Sequence, residues 1–125
     1  MRLLLDTHVL LWWLGNHREL KARARAAIAD PTNMVFVSAV SIWEARIKQS
    51  LGKLEVPANF LSAVREEAFE LLPVTADHAD TVATLPPLHR DPFDRLLIAQ
   101  AQVEKLTIVS ADAIFPRYDP PTLWT

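Results

Sequence analysis

Apolar residues fall along this chain in short unbroken runs, separated by stretches with helical spacing. Arg2 to Leu5 is such a run, ended by Asp6-Thr7, and it predicts a buried strand. Val9 to Leu14 suits a brief helix closing near Gly15-Asn16. Arg18 to Ala29, rich in alanine and arginine, predicts a helix stopped by Asp30-Pro31. Met34 to Val37 is a second strand, after which Ser38 or Ser41 opens a helix carrying Trp43, Glu44 and Ile47 and ending near Leu51-Gly52. Pro57 is placed in the first turn of a helix running to about Phe69. Leu71 to Val74 reads as a short strand that Pro73 pushes to an edge, and Thr75 to Thr84 as a helix halted by Leu85-Pro86-Pro87. Asp91-Pro92 starts a further helix through Leu96, Leu97, Ala99, Gln100 and Val103. Thr107 to Val109 and Thr122 to Trp124 read as the closing strands.

Strands that alternate with helices, and that are apolar throughout, are buried on both faces. The expected class is therefore α/β, with a central, mainly parallel sheet of four to five strands and helices on both sides. The length of 125 residues, with no linker, predicts a single domain over residues 1–125. Two glycines exclude a phosphate-cradling glycine loop, and the absence of cysteine excludes disulfides, zinc–thiolate sites and thiol catalysis. Asp6 and His8 interrupt the opening apolar run, so it does not read as a signal peptide. No segment approaches the roughly 18–20 uncharged apolar residues of a membrane span. A soluble cytoplasmic protein is expected. The net charge of -2 means that any contact with nucleic acid must come from a local basic patch.

Ligands of open parallel sheets bind beyond the carboxyl ends of the strands. Asp6 follows the first strand, Glu44 lies about a turn into the helix after the second, and Asp112 follows Thr107–Val109. Asp94 opens the helix that runs back before that strand, so its first turn reaches the same edge. Each acid also has a purely structural explanation. Ser41-x-x-Glu44 fits a capping box, Asp91-Pro92-Phe93-Asp94 fits positions N-cap to N3, Asp6 suits a helix cap and Asp112 a turn. Taken together, crowded carboxylates repel one another unless a cation compensates, and a hard divalent ion such as Mg2+ suits an all-oxygen site. The histidines lack the spacing of a zinc site.

Four segments occur in order: Leu3-Leu4-Leu5-Asp6-Thr7-His8-Val9-Leu10, Ser38-x-x-Ser41-x-Trp43-Glu44, His89-Arg90-Asp91-Pro92-Phe93-Asp94-Arg95-Leu96-Leu97-Ile98-Ala99-Gln100-Ala101 and Val109-Ser110-Ala111-Asp112. Together they resemble the PIN-domain nucleases, in particular the VapC-type toxins of bacterial toxin–antitoxin pairs, with His8 standing where many members carry asparagine. The resemblance implies a three-layer α/β/α fold, Mg2+- or Mn2+-dependent cleavage of RNA, inhibition by a cognate VapB-like antitoxin, and a homodimer. Its catalytic and metal-binding acids correspond to Asp6, Glu44, Asp94 and Asp112. Thr7 and Ser41 are expected as polar supports and Asp91 as a cap acting on the metal through water. Arg90, Arg95 and Arg46 are the expected phosphate contacts. Trp12 and Trp13 are neighbours on a short helix and point roughly 100° apart. One is expected to enter the core while the other stays partly exposed, an anchor suited to an antitoxin segment. Two rivals accompany this reading: a catalytically inactive PIN-like binding module, and a receiver-type signalling domain, which would need a lysine where Ser110-Ala111-Asp112 follows the late strand.

Overall fold

The computed structural model describes residues 1–125. Its centre is β1 (Arg2–Leu5), whose Leu3, Leu4 and Leu5 are all fully buried. Side chains alternate across a strand. Leu3 and Leu5 therefore join the core on one face with Val35, Val37 and Val109. Leu4 joins the core on the other face with Leu97, Ile98 and Ile108. A strand apolar at every position needs layers on both sides, and it has them.

β1 is followed by α1 (Thr7–Leu14) and α2 (Ala22–Ala29), then β2 (Met34–Ser38), α3 (Ala39–Ser50), α4 (Phe60–Glu66) and β3 (Glu70–Leu72). The second half contains α5 (Ala76–Thr81), α6 (Pro92–Glu104), β4 (Thr107–Ser110) and β5 (Thr122–Trp124), with single 3-10 turns at Val82–Thr84 and Phe115–Arg117. The sheet has five strands in the order β3-β2-β1-β4-β5. Every neighbouring pair is parallel. This is the three-layer α/β/α arrangement. Chain order reverses between β1 and β4, and the connections on either side of that point leave a crevice at the carboxyl edge.

Local chemistry sets most boundaries. α2 begins at Ala22, not Arg18, because Leu20 turns into the core and Lys21 serves as an extended N-cap. α4 starts only at Phe60, with the Pro57 carbonyl accepting the Phe60 N–H, so Pro57 precedes the helix. β3 is confined to Glu70–Leu72, since Pro73 has no N–H to continue the ladder. No helix is long and apolar enough to cross a membrane.

Candidate active site

Asp6 leaves the end of β1 and caps α1 with extended backbone. Its Oδ1 accepts the His8 N–H at 2.7 Å, while Oδ2 accepts the Ser110 hydroxyl at 2.5 Å from the end of β4. The cap fixes the carboxylate in place, so its structural and chemical roles coexist. Ser110 Oγ accepts the Asp112 N–H at 2.9 Å, and Asp112 Oδ1 accepts the Ile114 N–H at 3.0 Å. Asp112 is the exposed member of the group.

Glu44 is 2% exposed, inside α3. The anticipated Ser41–Glu44 capping box does not form, because Ser38 caps the helix instead, accepting the Val40 N–H at 3.0 Å. Glu44 takes other donors: the Thr7 hydroxyl at 2.6 Å and the Lys48 ammonium at 2.5 Å. Thr7 has one hydroxyl proton, and the carboxylate claims it. Ser41 Oγ, 3.0 Å from Thr7 Oγ1, then donates to Thr7. Ser38 also donates to Gln100 Oε1 at 2.5 Å, and Gln100 Nε2 donates to the Pro73 carbonyl at 3.2 Å. This buried bridge fixes the start of α3 against α6, and so fixes the helix of Glu44 relative to that of Asp94.

Asp94 stands in the first turn of α6. Asp91 is the N-cap, its Oδ1 accepting the Asp94 N–H at 3.0 Å, and Pro92 fills a position whose missing N–H costs nothing. His89 donates through Nε2 to Asp94 Oδ2 at 2.8 Å. His89, Asp91 and Asp94 each offer a ligand atom within 4.8 Å of the other two. The fold gathers Asp6, Glu44, Asp91, Asp94 and Asp112, together with Lys48 and His89, around one pocket of about 540 Å³.

The electrostatics of that pocket are strained. Burial pushes the Asp94 carboxyl from 3.8 up to about 6; the His89 hydrogen bond opposes this, and the charges of Asp91, Asp6 and Glu44 reinforce it. Burial also raises Asp6, although Ser110 and the His8 N–H favour its ionised form; the Glu44 charge adds to the rise. Partial burial works against the Lys48 ammonium, but the hydrogen bond and charge of Glu44, with Asp91 and Asp94 beyond, hold its pKa above the ordinary lysine value. Lys48 is the one cationic side chain among the lysines and arginines that lines the pocket.

Two of the three arginines considered for phosphate contact have partners within the fold. Arg95 donates to the carbonyls of Pro86, His89 and Val82, clasping the loop that carries His89. Arg46 donates to Gln49 at 2.9 Å and lies over the Phe60 ring. Both guanidinium groups are committed to the fold, and neither lines the acid pocket. Arg90 is exposed beside His89. Trp12 and Trp13 are both half-buried, whereas Trp43 is 57% exposed. Sequence reasoning missed Ser110, His89 and Lys48 as members of the site. Only Lys48 had a local signal, its spacing of four from Glu44.

A family model for the PIN domain matches residues 3–120. This chain belongs to the PIN domain family. This PIN domain shares its fold with VapBC2 from Rickettsia felis, solved bound to a promoter DNA fragment. The TM-score is 0.73 at 17% identity, over 98% of this chain and 97% of that one. A toxin–antitoxin complex from Klebsiella pneumoniae matches with TM-score 0.65 at 18% identity, covering 96% of this chain and 94% of that one. FitAcB from Neisseria gonorrhoeae matches with TM-score 0.64 at 20% identity, covering 97% and 96% respectively. Comparison of this PIN domain with curated protein sequences found no match.

Proposed function

We propose that this PIN domain is a divalent-metal-dependent endoribonuclease of the VapC type, acting in the cytoplasm as the toxin of a toxin–antitoxin pair with a VapB-like partner. One observation carries the reading. Five carboxylates from four separate parts of the chain line a single pocket, and burial raises the pKa of two of them. Leaving such a cluster charged without a cation is costly, and its all-oxygen donors suit Mg2+ or Mn2+. Asp6 and Asp94 are the proposed direct ligands, with Glu44 and Asp112 acting through water or on a second ion. Asp91, already capping α6, adds a further oxygen beside Asp94. The bound ion would lower the pKa of a water and stabilise charge developing on the phosphodiester.

The chain's own groups divide the remaining work. Glu44, held by Thr7 and Lys48, is the proposed orienter of the attacking water. Ser110 and the His8 N–H aim Asp6 and favour its ionised form against the opposing effect of burial. His89 does the same for Asp94. Arg90 is the proposed phosphate contact, since Arg95, Arg46 and Lys48 are engaged by other groups. The similar solved structure named as a toxin–antitoxin complex supports a protein partner, and a homodimer is proposed from the resemblance of the sequence motifs alone.

The test is RNA cleavage by wild type, Asp6→Asn and Asp94→Asn, in Mg2+ and in EDTA. Cleavage is expected from wild type in Mg2+ alone, and unchanged cleavage by both variants would refute the proposal. An inactive binding module is favoured by one feature, the Lys48 ammonium already neutralising Glu44. Calorimetric titration with Mn2+ decides between them, because a cluster of helix caps would take up no metal.

A further inference from the structure

We propose that the groove beside the acid pocket is a subsite for an unpaired nucleobase of the RNA, with Trp12 as its stacking surface; this rests on the ribonuclease reading above. The groove has a volume of about 530 Å³, and two residues, His8 and Trp12, line both it and the acid pocket. A strand with its phosphate at the carboxylates therefore has Trp12 at the boundary between the two depressions. Two imidazoles neighbour Trp12, His8 tilted with its centroid at 6.2 Å and His17 near-parallel at 6.4 Å. Leu54, Val56 and Pro57 add apolar surface to the lining of the same groove.

That combination fits a flat ring with a polar edge. Nucleobases stack on aromatic faces whatever their identity, which is how single strands are held. The polar edge has partners too. His17 Nδ1 accepts the Glu19 N–H at 3.1 Å, so in the neutral ring Nε2 carries the proton and serves as a donor. Glu55 lines the same groove and offers acceptors. A base in a helical duplex cannot present its face to a side chain, so the subsite selects single-stranded or looped RNA. An apolar protein segment has a better surface on this molecule: the groove of Ile42, Trp43, Leu61, Leu71, Leu72 and Pro73, away from the acids.

The probe is a 2′-O-methyl single-stranded RNA oligomer, together with versions carrying one abasic ribose at each position in turn, each checked by denaturing electrophoresis to be intact after the measurement. Affinities are measured in Mg2+ for wild type, Trp12→Leu and Trp12→Phe, with circular dichroism confirming the fold of each. Wild type is expected to lose about 5- to 100-fold in affinity when one particular base is removed. Trp12→Leu should show that same loss with the intact oligomer and be indifferent to the missing base, while Trp12→Phe recovers most of the affinity. If Trp12→Leu binds as wild type does, or if no single abasic position matters to wild type, the subsite is wrong. Should Trp12→Leu fail to fold, the abasic series on wild type and Trp12→Phe decides alone. Wild type that neither binds nor cleaves RNA overturns the ribonuclease reading itself, whereas wild type that cleaves while Trp12→Leu matches it overturns only the subsite.

Discussion

Replacing Asp94 with asparagine is expected to stabilise the metal-free protein while disabling its site. The Asp94 carboxyl has a folded-state pKa of about 6 against 3.8 for the free side chain. Below about pH 4 it is neutral in folded and unfolded chains alike, so it contributes no penalty. Between the two values the folded chain keeps a proton that the unfolded chain has released, and stability falls as pH rises. Above about pH 6 the full cost is present. At 1.36 kcal/mol per pKa unit this is about 3 kcal/mol, and residual hydration of the partly buried group lowers it to about 1–3 kcal/mol. Asparagine has the same shape, is neutral at every pH, and its Oδ1 can still accept from His89. With about 2.1 cal/mol/K of unfolding entropy per residue, that gain raises Tm by about 4–12 °C. The assay is thermal unfolding in EDTA, from pH 4 to pH 8. The variant should exceed wild type at pH 8 and match it at pH 4, and added Mg2+ or Mn2+ should narrow the gap by stabilising wild type. A Tm difference that is the same at both pH values, or a less stable variant at pH 8, would refute the electrostatic argument.

Two further substitutions probe the supports. Ser110→Ala removes the donor to Asp6 and the acceptor of the Asp112 N–H. Mn2+ affinity measured by calorimetry should fall about 10- to 100-fold; unaltered affinity would show that Ser110 does not organise the site. Ser38→Ala removes the α3 cap and strands the buried Gln100 Oε1. Urea unfolding should report a loss of about 2–3 kcal/mol, and a loss below about 1 kcal/mol would mean that the bridge between α3 and α6 carries little.

Much of the fold was readable in the sequence because its signals are local and strong. β1 is apolar at Leu3, Leu4 and Leu5 and ends at a capping acid. α6 announces itself with an acid, a proline and a second acid at the first three of its opening positions that matter: Asp91, Pro92 and Asp94. The carboxylates were legible for the same reason, since each follows a strand or starts a helix at the edge where topology gathers them. Glu44 was harder. Ser38 and Ser41 are equally good caps by composition, and only the packing of Val40 and the bond from Ser38 to Gln100 choose between them. That choice releases Glu44 from a capping box and hands it to Thr7 and Lys48. The bonds of Arg95 were not legible, because proximity in sequence to an acid does not reveal which carbonyls the folded loop will present to it.

The sequence by itself therefore determined the succession of strands and helices, the burial of the sheet on both faces, and the edge at which the acids collect. Those properties follow from periodicity, capping and proline geometry, which act over a few residues. Tertiary structure alone decided which group satisfies which. Ser110 reaches Asp6 across 104 positions of chain, and Thr7 reaches Glu44 across 37. Such pairings depend on adjacent parallel strands delivering their ends to one crevice, where low polarisability and excluded water make each hydrogen bond and each neighbouring charge count.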